Sequence, residues 1–313
     1  MRRCGWLVLL ALWVPLVAAS QPRPRVVVVK SAGLAPYASV VAGFSAEVRA
    51  EVSEVTLEDS AQAATRAFQR IASQKPALVL AIGPLAANTA RRTLGQEVPV
   101  LFAMVPYYEK YGLEGPNITG IALTSDFRPE LSALKALAPS AKRVGILHDP
   151  RYSAGLVEAA QSAAGPLGLS IVPLEADAQG KAEKVLAGSR EKVDAFLMVA
   201  DKTVGNASVV QELIAFATAQ HLPLVGLTPS QVKEGATLAL APSPTAIGQQ
   251  AGRLANRIIH EKVDPGALAV SQPEGLDLAV NLSAASKLGG SRDVVLELLR
   301  FAARRDFPVR VFE

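Results

Sequence analysis

Polar side chains that could contact a small molecule stand directly after apolar runs of strand character. Asp201 is the most informative, because it ends an otherwise apolar run, residues 195–199. Its carboxylate could hold a ligand ammonium group, or it could cap the helix that follows. Ser31, Tyr107 and Thr228 also follow apolar runs. In open α/β sheets ligands bind at the carboxyl ends of the strands, so these positions predict one shared binding edge.

The predicted ligand contacts combine hydroxyl groups, one carboxylate, aromatic rings and an apolar wall. Pro84 and Leu85 form the apolar wall, and helix N-termini at the same edge could bind a carboxylate through backbone N–H groups. The full predicted set is Ser31, Pro84, Leu85, Tyr107, Tyr152, Asp201, Thr203 and Thr228.

The sequence predicts no catalytic residue, no metal site and no cofactor. His148-Asp149-Pro150 is ordinary turn chemistry, and His221 and His260 show no metal-ligand spacing with it. Gly-x-Gly-x-x-Gly, phosphate-loop and Gly-x-Ser-x-Gly patterns are absent from the sequence. A secreted α/β hydrolase remains an alternative, and it would require turnover that is lost on mutating one serine or carboxylate.

Apolar runs alternate with helix patterns from Val26 to Leu288 and give ten strand candidates. Continuous runs such as residues 26–29 are typical of strands that are covered on both faces. The order predicts an α/β fold of two tandem doubly wound series, each with a parallel sheet and helices on both faces. Residues 117–123 are expected to form a strand that crosses between the two lobes.

Later segments suggest that the chain returns to the first lobe and then to the second. We predict a first lobe of residues 23–121 plus 244–275 and a second lobe of residues 122–243 plus 276–289. Residues 290–313 are expected to form a tail, with an amphipathic helix over 294–304 packed on the body.

The N-terminus has the pattern of a cleaved signal peptide over residues 1–20. Arg2 and Arg3 precede an apolar run of about 12 residues, and small residues follow at 18–20. A bilayer span needs about 20 apolar residues, so an uncleaved anchor is the less favoured alternative. Cys4 precedes the apolar run, which argues against acylation there. We therefore expect a periplasmic or secreted protein.

Composition predicts a well-packed chain that uses no disulfide. The 313 residues are 50% hydrophobic and 19% charged, which excludes a disordered chain. The net charge of +4 falls to +2 when Arg2 and Arg3 are removed, and no basic stretch with interleaved aromatics predicts nucleic-acid binding. The single cysteine, Cys4, lies in the predicted signal peptide.

Several stretches are similar to the ABC-transporter substrate-binding family that includes tryptophan- and tyrosine-binding members. They are ALVLAIGPLAA at 77–87, VPVLFA at 98–103, PNITGI at 116–121, LAPSAKRVGILHDP at 137–150, residues 193–204 and LAVNL at 278–282. The resemblance implies the type I periplasmic-binding fold, in which two lobes joined by three hinge strands close over a small ligand. It also implies a membrane permease and an ATPase as partners.

The stretches that match the family belong to its scaffold, whereas the positions expected to line the ligand pocket differ from the family pattern. Residues 31–37 replace a stretch that usually contains His-Pro, and Gly83-Pro84-Leu85 replaces a turn that usually carries a hydroxyl for the ligand carboxylate. Asp201-Lys202 stands where Asp-Asn is frequent, and an acidic residue near Thr228 and an aromatic near residues 242–244 are missing. The expected ligand is therefore a small molecule, amino-acid-like in one interpretation, and not specifically an aromatic amino acid. A periplasmic sensor or accessory subunit that passes ligand state to a membrane partner is the alternative function.

Overall fold

The computed structural model describes residues 23–58, 60–123, 127–176, 181–201, 206–288 and 292–313. The predicted signal peptide and Thr203 lie outside the described residues. Two separate sheets, each with helices on both faces, confirm the predicted α/β fold. Among the described residues, no helix combines the length and the hydropathy that a membrane crossing would require.

The first sheet has five parallel strands in the order β2-β1-β3-β4-β5. Its elements are β1 (Arg25–Lys30), α1 (Ala35–Glu47), β2 (Glu51–Thr56), α2 (Ala61–Ser73), β3 (Leu78–Ile82), α3 (Pro84–Thr93), β4 (Val100–Val105) and β5 (Ile118–Ala122). All five residues of β3 are buried, because α2 and α3 cover one face of the sheet while α1 covers the other. The continuous apolar runs therefore predicted the two-sided burial correctly.

The second sheet has seven strands in the order β12-β11-β10-β9-β8-β6-β7. Its strands are β6 (Arg143–His148), β7 (Ser170–Glu175), β8 (Ala195–Leu197), β9 (Leu224–Gly226), β10 (Leu238–Pro242), β11 (Leu276–Asn281) and β12 (Val309–Phe312). The helices associated with it are α4 (Arg128–Leu137), α5 (Pro150–Ala164), α6 (Ala182–Ala187), α7 (Ala207–Ala219), α8 (Pro229–Glu234), α10 (Leu282–Ser286) and α11 (Arg292–Ala303). Helices α4, α5 and α11 cover one face, and α6, α7 and α8 cover the other.

The second sheet is mixed, whereas a wholly parallel sheet was predicted. Strand β11 pairs antiparallel with β10. The reason is the path of the chain, which leaves β10 for the first lobe and re-enters the second sheet from the end that β10 has just left. Strand β12, which the sequence did not predict, then pairs in parallel with β11 and forms one edge of the sheet.

Helix α9 (Pro244–His260) lies against α1 of the first lobe at very short range. Glycines at the seam allow the approach: a Cβ at Gly248 would lie 2.1 Å from the Val40 carbonyl oxygen, and one at Gly43 would lie 2.2 Å from the Thr245 carbonyl oxygen. The Asn256 side chain then holds the C-terminal end of α1, because it donates to the Glu47 carbonyl and accepts from the Arg49 N–H. These contacts fix α9 on the first lobe.

The chain passes between the lobes three times, and the crossing segments are hydrogen-bonded to one another. The Ala122 N–H donates to the Ser271 carbonyl at 2.9 Å, and the Ser243 N–H donates to the Gly275 carbonyl at 2.9 Å. Gln250 of α9 is buried and donates to the Gln272 carbonyl at 2.9 Å. Strand β5, predicted as a crossing strand, is the edge strand of the first sheet and leads into the first crossing.

Candidate functional site

One side chain connects the carboxyl ends of two strands that belong to different sheets. Tyr107 follows β4 of the first lobe in a left-handed conformation, with φ of 50°. Its hydroxyl donates to the carbonyl of Ala200, which follows β8 of the second lobe. Burial, and then the neighbouring Asp201 carboxylate, raise the pKa of the Tyr107 hydroxyl. The structure thus brings the predicted contacts Tyr107 and Asp201 together.

Asp201 binds the start of α5. Its Oδ2 accepts from the Asp149 N–H at 2.8 Å and from the Ser153 hydroxyl at 2.9 Å. The helix that follows Asp201 is instead capped by Asn206, whose side chain accepts from the Ser208 N–H. The alternative in which Asp201 caps the following helix is therefore wrong, because the carboxylate is engaged across the sheet by α5.

Ser153 connects Asp201 to a buried histidine. Its Oγ lies 3.2 Å from His148 Nδ1, and both residues are almost fully buried. His148 Nε2 has no hydrogen-bond partner among the described residues. The serine stands between the histidine and the carboxylate, whereas a catalytic triad places the histidine between the serine and the carboxylate. The order of contacts thus differs from that of a nucleophilic serine site.

Asp149 is the N-cap of α5, where its side chain accepts from the Arg151 N–H at 3.1 Å. The Arg151 guanidinium also donates to both oxygens of this carboxylate, at 2.9 and 2.6 Å, and lies over the Tyr152 ring at 5.6 Å. Asp149 is 1% exposed while the Tyr152 ring remains 45% exposed. The predicted contact Tyr152 therefore lies on the surface beside a charge pair.

Three of the predicted first-lobe contacts, Ser31, Pro84 and Leu85, lie at the N-terminus of α3. The Ser31 hydroxyl accepts from the Ala86 N–H at 2.9 Å, and Pro84 and Leu85 form the first turn of the helix. Gly83 has φ of 88°, and a Cβ there would lie 2.4 Å from the Tyr37 hydroxyl and 2.7 Å from Ser31 Oγ. Burial raises the pKa of Tyr37. A turn that only glycine fits therefore packs two hydroxyl groups under α3.

Thr228 caps α8 in a reciprocal capping box with Gln231, and its side chain is exposed. Ser153, His148 and Tyr37 were not in the predicted set, although they contact members of it. The available signal was the placement of Ser153 four residues after Asp149, which puts both at the first turn of one helix. Among the described residues, no group of three or more His, Cys, Asp or Glu side chains could hold a metal ion.

Solved structures with the same fold come from several substrate-binding proteins. A ligand-free, open substrate binding protein with adhesive properties from Clostridium difficile matches with a TM-score of 0.77 and 17% identity, over 93% of this chain and 100% of that one. An ABC domain in complex with L-Trp from Streptococcus pneumonia matches with a TM-score of 0.59 and 17% identity, over 87% and 98%. A periplasmic ribose ABC transporter from Conexibacter woesei matches with a TM-score of 0.57 and 14% identity, over 87% and 96%.

These matches establish the type I periplasmic-binding fold. No curated protein sequence matches this chain. A family model described as ABC transporter substrate binding protein matches residues 46–296, from the end of α1 into α11. The protein belongs to the ABC transporter substrate-binding family.

Proposed function

We propose that the protein binds a small polar or amphipathic solute between its two lobes and delivers it to the permease and ATPase of an ABC uptake system. The main support for this proposal is one contact at the strand ends: the Tyr107 hydroxyl of the first lobe donates to the Ala200 carbonyl of the second lobe, next to Asp201. In an open α/β sheet this edge is the ligand edge, and here one side chain connects two such edges.

Closure of the two lobes over the solute would be the functional conformational change. The lobes would comprise residues 23–121 plus 244–275 and residues 122–243 plus 276–289, hinged at the three crossings. A ligand that contacts both lobes has a higher affinity for the closed state and so shifts the population toward it. Ser31, Pro84, Leu85 and Tyr107 would contribute from the first lobe, and Tyr152, Asp201, Thr203 and Thr228 from the second.

The chemistry of this edge supports binding rather than catalysis. Ser153 donates to Asp201 or to the Asp149 carbonyl within a closed, buried network, so its oxygen is held away from a substrate. Residues 1–20 would direct export, and the protein would work outside the cytoplasm, where it would meet both solute and permease.

A thermal-shift screen of protein purified after full-length expression tests the proposal. The panel would contain amino acids, amines, small peptides, purines, sugars and carboxylates. A ligand that binds only the native state adds about 2.7 kcal/mol of stability at 100 times its dissociation constant. The effect should weaken in Asp201→Ala and persist in Glu212→Gln, an exposed acid on α7. Failure of every compound to shift the unfolding temperature would contradict solute binding.

A further inference from the structure

Four of the helices that begin at the interlobe edge have a reduced number of backbone N–H groups in their first turn. Helices α1, α3, α5 and α8 follow β1, β3, β6 and β9, and each has a proline in its first two positions. Proline has no N–H, and helix N-termini bind anions chiefly through these groups. The usual backbone site for a ligand carboxylate is therefore reduced at each of these helices.

The N-terminus of α3 illustrates how far the reduction goes. Pro84 contributes no donor, the Ala86 N–H is bonded to Ser31, and the Ala87 N–H is bonded to the Gly83 carbonyl. The Gly83 N–H donates to the Ala103 carbonyl. Within residues 83–87, all of which the structure describes, Leu85 is thus the one whose N–H lacks a partner. One donor cannot satisfy both oxygens of a carboxylate.

The N-terminus of α5 is equally closed, and it is acidic. Its donors are taken within the helix start, because the Arg151 N–H is bonded to the Asp149 side chain and the Tyr152 and Ser153 N–H groups to the Asp149 carbonyl. The carboxylates of Asp149 and Asp201 both lie there. A ligand carboxylate at α5 would meet like charge.

Two basic side chains near these strand ends are already paired with acids. Lys30, at the end of β1, binds Glu54 at 2.8 Å, and Arg151 binds Asp149. Lys110 lies 4.7 Å over the Tyr107 ring and is exposed at the rim. Lys202 lies outside the described residues. The described groups around Tyr107 and Ser31 are mainly hydroxyls and carboxylates. The carboxylates only accept hydrogen bonds, and the Tyr107 hydroxyl already donates to the Ala200 carbonyl.

We infer that the solute is an amine or a hydroxyl compound recognised without a carboxylate contact, and that Pro84 is the residue that sets this preference. The inference rests on the proposed function and specifies its substrate class. Pro84 acts by removing the donor that, next to the Leu85 N–H, would give α3 the pair of N–H groups a carboxylate needs.

Titration calorimetry with matched pairs tests the substrate class. Each amino acid would be compared with its decarboxylated amine and its amino alcohol, for example tryptophan with tryptamine and tyrosine with tyramine. The amine or the alcohol should bind at least as tightly as the acid. An acid that binds about tenfold more tightly than its amine would overturn the inference while leaving solute binding intact. If no compound of the wider panel binds, the inference and the proposed function both fail.

A pair of proline substitutions tests the role of Pro84. Pro84→Ser restores an N–H and adds a hydroxyl at α3, and it should change the ratio of acid to amine affinity about tenfold in favour of the acid. Pro150→Ser makes the same change at the first position of α5, where the two carboxylates lie, and should leave the ratio as it is. Far-ultraviolet circular dichroism would verify that both variants are folded. An unchanged ratio in Pro84→Ser would contradict the assignment, and the wild-type comparison above tests the substrate class independently.

Discussion

Asp201 has a structural role at the edge where it is also proposed to contact the ligand. Its Oδ2 accepts from the buried start of α5, through the Asp149 N–H and the Ser153 hydroxyl. A carboxylate held by two donors cannot rotate away, which would keep it beside Tyr107 of the opposite lobe. The apolar run before Asp201 predicted that this residue lies at the end of a strand. Its partners Ser153 and Asp149, which lie 48 and 52 residues earlier, could not be identified without the fold.

Substitutions of Asp201 measure how much its hydrogen bonds contribute to the stability of the fold. Asp201→Ala leaves the buried Asp149 N–H without its acceptor, so we expect a loss of about 1–3 kcal/mol in the free energy of unfolding. Asp201→Asn retains an amide oxygen at that place and should lose less. Urea denaturation measures both variants. Equal stability of the wild type and the alanine variant would show that the contact contributes nothing to the fold.

Asp194 predicts an acid-dependent part of the stability away from the cleft. Its carboxylate accepts from the Arg143 guanidinium at 2.8 Å and from the backbone N–H groups of Lys142 and Arg143, which lower its pKa to about 2. Because the folded pKa lies below the unfolded one, this stabilisation is complete above about pH 4 and is lost as the pH falls toward 2.

The variant Asp194→Asn should therefore be less stable at pH 7 by about 1 kcal/mol, a value reduced for the screening of a partly exposed pair. The difference from the wild type should narrow as the pH falls from 4 to 2. Thermal unfolding at stepped pH values measures it. A difference that stayed constant over this range would contradict the assignment.

At the scale of elements, the seam between α1 and α9 fixes the return of the chain to the first lobe. The sequence predicted that residues 244–275 return to the first lobe. It could not predict which helix α9 contacts, because the seam depends on absent side chains at Gly43, Gly248 and Gly252. The glycine positions identify the contact between α1 and α9 only when the positions of both helices in the fold are known.

Two glycine-to-alanine changes test the seam against a matched control. Gly248→Ala would put a Cβ 2.1 Å from a backbone oxygen of α1, so we expect a loss of about 1–3 kcal/mol despite the higher helix propensity of alanine. Gly155→Ala, on the exposed side of α5 with open space around it, should instead stabilise by up to about 1 kcal/mol. Equal effects of the two changes would show that the seam does not limit the packing.

Strand β12 was not predicted from the sequence, because it is a short strand at the edge of the sheet. It has four residues, of which Val309 and Val311 are exposed and Arg310 is charged. A short edge strand of this kind lacks the buried apolar run by which β1, β3 and β4 were recognised. Its place in the sheet depends on pairing with β11, which itself reaches the sheet only through the third crossing.

At the scale of the whole molecule, the Tyr107 hydroxyl is the described contact that bridges the strand ends. Removing it in Tyr107→Phe should favour a more open ligand-free molecule, because the Ala200 carbonyl loses its cross-lobe donor. Small-angle scattering would report a larger radius of gyration than for the wild type. Tyr111→Phe, on the same short helical turn, serves as the control and should leave the radius unchanged. A radius that is the same in all three proteins would mean that Tyr107 does not hold the lobes.

Small-angle scattering of the wild-type protein, with and without a bound compound, tests whether a solute closes the two lobes on each other. A compound from the thermal-shift screen would be added at saturating concentration. We expect the radius of gyration to fall when the compound binds, and we expect Asp201→Ala to lower the affinity for the compound that produces this fall. A compound that binds tightly and leaves the scattering curve unchanged would contradict closure between the lobes.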